Sequence, residues 1–128
     1  MNKQLIDLQR NSKATCAIIK TEDFSQLSPS VLVEAKTSDE SLFADRKPMF
    51  ADKLDIKCHV LKQISYLVVT EIDTVPLETQ ERFVGLVKDR EINDYVLPDN
   101  CIIVFTVKNE RALKKVSPEL YHFAVVAF

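Results

Sequence analysis

YLVVTEIDTVPLETQERFVGLVKDREINDYVLPDNCIIVF, residues 66–105, sets two unbroken apolar runs around one amphipathic stretch and one turn-rich segment. The first run, Tyr66 to Thr70, is too short for a helix and apolar on both faces, the pattern of an interior parallel strand. Thr74 then stands where it can cap a helix. Pro76 is tolerated in the first turn, and Leu77, Phe83, Val84 and Val87 supply a buried face that ends near Asp89. From Arg90 to Asn100 the chain runs through Ile92, Tyr95, Val96 and Leu97 into Pro98-Asp99-Asn100, a turn signal, so a short hairpin or extended loop is expected. Cys101 to Val107, CIIVFTV, reads as a second buried strand.

Toward the N-terminus, Leu54, Cys58, Leu61 and Ile64 lie on one stripe of a helix expected over Ala51–Ser65, with Asp52 and Asp55 near its positive end. Strands are expected over Ala14–Lys20 and from Val31 to Ala35, an irregular connection over 37–50, and a short helix in residues 1–12 through Leu5 and Leu8. Toward the C-terminus, Asn109–Val116 reads as a short helix or turn and His122–Phe128 as a closing strand. Strands alternating with helices pair in parallel through crossovers, so the expected architecture is α/β: a layered, mainly parallel sheet flanked by helices.

With 128 residues, 46% hydrophobic and 28% charged, the chain has room for one domain with a real core. The 17 basic and 19 acidic residues are mixed along it, which argues against the electrostatic footprint that dominates nucleic-acid affinity. No apolar run reaches the roughly 20 residues of a membrane span, and the polar start MNKQLIDLQRNSK does not read as a signal peptide, so a cytoplasmic location is expected. Cys16, Cys58 and Cys101 fall in no metal-ligand spacing and read as buried reduced thiols. Gly85 is the only glycine, where average usage would give about nine. Glycine-rich phosphate loops are thereby excluded.

Residues 66–105 resemble the region from the Walker B strand to the sensor 1 strand of AAA+ ATPases, and within them the MoxR-like branch. The matching residues are Glu71, Pro76, Gln80, Arg90, Ile92, Tyr95, Leu97, Pro98 and Asp99. SPELYHF, residues 117–123, is similar to the Pro-x-Leu-x-x-Arg-Phe turn that follows sensor 1, shortened by one residue. The resemblance implies a truncated P-loop NTPase/AAA+ core, a single domain over 1–128 lacking both the P-loop and the C-terminal helical lid.

Against that pattern the catalytic positions depart. A P-loop, GxxxxGK[ST], wraps phosphates with backbone amides and brings a lysine to them. Here Lys20-Thr21 follows the first strand with no glycine before it, and reads as a surface pair. The metal-binding aspartate of Walker B corresponds to Thr70, a poor ligand for a divalent cation. The neighbouring Glu71 is the one candidate catalytic residue, with a helix N-terminal carboxylate as the plainer reading. Asp73, Asp94 and Asp99 could join it at the strand ends, or be solvated carboxylates. Thr106 or Asn109 stands near the sensor 1 position, and His122 where an arginine finger would fall. Neutral histidine cannot replace a guanidinium; His122 and His59 are expected to be partly buried structural residues.

The resemblance and its departures imply a non-catalytic AAA+-like protein-interaction or assembly module with no cofactor and no metal. Arg90, Tyr95, Leu97 and Pro98 would form the contact surface, or else fold back on the core. The implied partner is a protein: an AAA+ ATPase ring, a clamp-loader-like assembly or a second copy. The alternative is an atypical nucleotide-binding ATPase subunit that takes ATP and magnesium near Thr70, Glu71, Asp73, Thr106 and Asn109 and borrows a partner's P-loop. A mobile-element decoy of an ATPase subunit is a third reading.

Overall fold

The computed structural model describes residues 15–27, 30–36 and 47–127. The expected helix in 1–12 and most of the 37–50 connection lie outside them. Five strands form one parallel sheet: β1 (Cys16–Lys20), β2 (Ser30–Glu34), β3 (Ser65–Thr70), β6 (Cys101–Val107) and β7 (Val125–Val126), in the order β2-β3-β6-β1-β7. A separate antiparallel hairpin pairs β4 (Glu91–Ile92) with β5 (Tyr95–Val96). The two runs that opened the sequence reading are neighbours, Ser65 opposite Cys101 and Val69 opposite Phe105. β6 holds the centre, which is why all seven of its residues are buried.

Alternation splits the interior. Ile18, Val31, Val33, Leu67, Val69, Ile103 and Phe105 face the helices and join the larger core, with Leu54, Phe83, Leu86 and Leu120 packed against them. Ala17, Ile19, Tyr66, Val68, Ile102 and Val104 form a second buried cluster with Leu27 and Ala127. Both faces of the central strands are therefore buried, as unbroken apolar runs require.

The first helix, α1 (Ala51–Asp55), continues as one π turn over Ile56–Val60 and stops short of the expected Ser65. Lys62 takes a left-handed conformation (φ 54), and the Gln63 N–H bonds back to the Lys57 carbonyl, a Schellman-type ending. The Asn100 side-chain amide then donates to the carbonyls of Cys58 and Gln63, at 3.1 and 2.7 Å. Because the helix closes early, only Leu54 and Cys58 of the expected stripe are buried; Leu61 and Ile64 face solvent.

Helix α2 (Leu77–Asp89) begins after Pro76, and no side chain caps it. Thr74 instead gives both its hydroxyl and its N–H to the Glu71 carbonyl, and Leu77 is exposed. A six-residue 3-10 turn, Glu110–Lys115, fills the expected helix-or-turn segment. The expected closing strand over His122–Phe128 forms only at Val125–Val126, because α3 (Pro118–Phe123), which starts with the Ser117 side chain capping Glu119 and Pro118 in the first turn, takes up His122 and Phe123. Gln80, wholly buried in α2, donates to the Val75 and Lys115 carbonyls and accepts the Ser117 N–H at 2.6 Å, so it fixes where α3 begins.

Candidate functional site at the strand ends

Parallel strands bring their C-terminal ends to one edge, where α/β folds place ligands. Here that edge collects the ends of β1, β3 and β6, and with them Thr21, Thr70, Glu71 and Thr106. Thr106 is fully buried. Its hydroxyl accepts the Glu71 N–H at 2.9 Å, and the Thr21 hydroxyl donates to it at 3.2 Å. Glu71 itself sits in the left-handed region (φ 59, ψ 46) with its side chain exposed, held there by the N–H bond to Thr106 and the two bonds from Thr74. Thr70 points its hydroxyl at the Val33 carbonyl, 3.5 Å away on the edge strand.

Asp73 follows in a 3-10 turn, half-buried, with one carboxylate oxygen shielded and unpartnered. The Asn109 side chain accepts the Ala112 N–H at 3.0 Å and so caps the turn after β6. Asp94 and Asp99 lie on the hairpin and in the turn leading into β6, at the opposite edge from Glu71 and Asp73, because parallel pairing sends the start of β6 away from the strand ends.

Sequence reasoning set Thr21 aside as part of a surface pair, yet its hydroxyl belongs to this edge. It also missed a recess of about 420 Å³ lined by Lys20, Glu22, Lys108, Asn109, Glu110 and Arg111. The signal was present: Lys20 and Lys108 each end an apolar strand run. Among the described residues no group of three His, Cys, Asp or Glu side chains is placed to hold a metal ion, and no helix is long and apolar enough to cross a membrane.

The residues expected on an interaction surface lie at the other edge and fold back. Arg90 closes α2 in a left-handed cap, and its guanidinium donates to the Pro98 and Cys101 carbonyls at 2.9 and 2.7 Å. Leu97 and Pro98 are buried. The Tyr95 hydroxyl donates to Asp55 at 2.8 Å, its ring meets Phe50 edge-on, and Lys47 sits over it. What remains exposed on the hairpin is Glu91, Asn93, Asp94 and Val96. His59 and His122, expected to be partly buried, are both exposed: His59 stands on the solvent side of the π turn beside Asp55, and His122 lies on the outer side of α3 against Phe123.

The three thiols converge on the helix-covered face of the sheet, all buried and reduced. Burial pushes Cys16 and Cys101 up to about 12, with Arg90 opposing weakly.

No family model matches the chain, and no curated protein does. Solved structures do. NtrX from Brucella abortus in complex with ADP superposes with a TM-score of 0.57 at 17% identity, over 98% of this chain and 35% of that one. The same protein in complex with ATP gives 0.54 at 17% identity, over 99% and 37%. The fold is AAA+-like. The chain spans about a third of the length of the NtrX chains it matches. On an AAA+-like frame the edge carrying Thr21, Glu71 and Thr106 is the one where the resemblance sets the Walker B and sensor 1 residues.

Proposed function

We propose that this chain is a degenerate AAA+-like domain that serves as a protein-interaction or assembly module and does not hydrolyse ATP. The observation that carries the reading is the closure of Thr21, Thr106 and the Glu71 N–H on one another. Groups that would face a γ-phosphate or its attacking water satisfy one another inside the fold. The chain between β1 and β2 adds a 3-10 turn, Thr21–Gln26, without the glycines that let a backbone wrap phosphates. Thr70 offers a neutral hydroxyl where a carboxylate would hold magnesium through its water shell. Phosphoryl transfer rests on positioning and electrostatics, and these departures remove both. The finer likeness to the MoxR-like branch rests on the string from Glu71 through Pro76 and Gln80 to Arg90–Asp99, within which Arg90 and Tyr95 brace the hairpin.

The partner in this reading is a protein, either an AAA+ ring or a second copy. Thermal unfolding with millimolar ATP and magnesium tests the reading. A nucleotide at 100 times its Kd adds about 2.7 kcal/mol, a shift of many degrees for a domain of this size. The expected outcome is no shift.

The alternative, an atypical nucleotide-binding subunit, draws support from the recess bearing Lys20, Lys108 and Arg111 at the ends of β1 and β6. A thermal shift that disappears in Lys20→Ala and Lys108→Ala would establish it and overturn the first reading.

A further inference from the structure

The exposed apolar residues of the segment Lys53–Ile64 are not scattered. Ile56, Val60, Leu61 and Ile64 are all exposed along the π turn and the segment after it, Val60 at 71%. Lys53, Lys57, His59 and Lys62 are interspersed with them along the chain, so the segment is both apolar and basic. The segment's own acidic residue on this helix, Asp55, is engaged by Lys47 and Tyr95. Joined to this segment through the Tyr95–Asp55 bond, the hairpin carries the opposite combination. Glu91 and Val96 stand directly across from one another on its outer face, Val96 at 63% exposure, with Asp89 and Asp94 lining the adjacent depression beside Lys88 and Asn93. Among the described residues none of Lys53, Lys57, Lys62, Asp89, Glu91 or Asp94 has an ion-pair partner.

We propose that the basic apolar strip of Lys53–Ile64 and the acidic hairpin of Asp89–Val96 together form one self-complementary face that binds a second copy of this chain. A two-fold dimer places each patch of one copy against the other patch of its partner, because an isologous interface pairs residue i with j and j with i. A stable interface of the usual size takes about 800 Å² per partner, more than one such patch alone would supply. The apolar residues supply the affinity, and the charges select the orientation and speed the encounter. The proposal rests on the interaction-module reading and names its partner.

Sedimentation velocity from micromolar to millimolar chain, at low and high salt, with two charge-reversal variants tests it. One variant carries Lys53→Glu and Lys57→Glu; the other carries Glu91→Lys and Asp94→Lys. All four positions have side chains outside the core, and circular dichroism melts verify that each variant folds. The wild type is expected to form a dimer that weakens with salt. Each variant alone, now facing its copy with like charges, should weaken the dimer by roughly tenfold or more. The two variants mixed one to one should form a heterodimer, since every contact is then between opposite charges. Val60→Asp should return the wild type to monomer. A wild type that stays monomeric at millimolar concentration, variants that dimerise as well as wild type, or a mixture that does not associate would each overturn the proposal. Monomeric behaviour would refute this face alone; the nucleotide titration still decides between module and ATPase subunit.

Discussion

Gly85 sits in the interior of α2 with open space where a Cβ would stand, while among the described residues five others hold left-handed backbone without being glycine: Lys62, Glu71, Arg90, Asn93 and Asp94. The chain's single glycine is thus at a position that has no use for it. A mid-helix glycine costs about 1 kcal/mol relative to alanine, and a left-handed non-glycine residue costs about 1–2 kcal/mol. Gly85→Ala should therefore stabilise the fold by about 1 kcal/mol. Lys62→Gly should add roughly 0.5 kcal/mol, the relief being partly offset by the freedom glycine gains in the unfolded chain. Urea unfolding of the two variants and their combination measures both, and additivity is expected because the sites share no contact. Glu71 and Arg90 hold the same backbone shape for other reasons: the first is tied to Thr106 and Thr74, the second to Leu86. No pattern of residue types announces left-handed backbone at a glutamate or an arginine, so neither was legible in the sequence.

At the scale of elements, the sequence was clearest where burial is two-sided. Tyr66–Thr70 and Cys101–Val107 are strands within a residue of their expected bounds, because an apolar run of that length has no other soluble solution. It misled where a local break overrode periodicity. Leu61 and Ile64 continue the helical spacing on paper, but the π turn and Lys62 stop the helix first. The closing strand is present but starts three residues late, and the helix before it carried a legible signal, Ser117 as a cap followed by Pro118 at the helix start. The site divides the same way. The strand-end positions of Thr70, Glu71 and Thr106 followed from the sequence, whereas the hydroxyl bridge from Thr21 depends on pairing β1 with β6 across 85 residues.

The hairpin's attachment to α1 carries a pH signature. Burial raises the Asp55 carboxyl, but the hydrogen bonds from Tyr95 and Lys47 outweigh it, and the group ends below its ordinary value. A carboxyl lowered in the fold contributes stability that is present above its unfolded pKa, near 3.9, and is lost as pH falls through the folded value. Tyr95→Phe removes the largest of the lowering contacts. It should cost about 1 kcal/mol at neutral pH and shrink the acid-limb loss below about pH 4. Stability measured by denaturant at pH 7 and pH 3 gives the comparison; an equal cost at both would show that the hydroxyl acts independently of the Asp55 charge, through the Ala51 carbonyl 3.4 Å away.

At the scale of the whole molecule, the buried thiols set an alkaline limit. Cys16 and Cys101 are held near 12 in the fold against about 8.5 in the unfolded chain. Acids raised by folding stay protonated in the native state, so the unfolded state alone ionises as pH passes 8.5 and stability falls from there until the folded pKa is reached. The slope approaches about 1.4 kcal/mol per pH unit per thiol. Cys16→Ala with Cys101→Ala should flatten stability between pH 8.5 and 10.5, whatever it costs at pH 7. The same thiols should resist a thiol reagent at pH 8 until denaturant unfolds the chain.

The strand order also sets the timing of folding. Among the described strands of this sheet, β6, the central one, is the fourth to be made, and β1, though the first of them, pairs only with β6 and β7. A chain halted before residue 101 has just one strand pair of this sheet available to it, β2 with β3. Until then Cys16–Lys20 is an apolar segment awaiting partners some 85 residues downstream. Such a molecule gains its cooperativity in one late step, and the interval before that step is when it most depends on whatever keeps nascent strands apart.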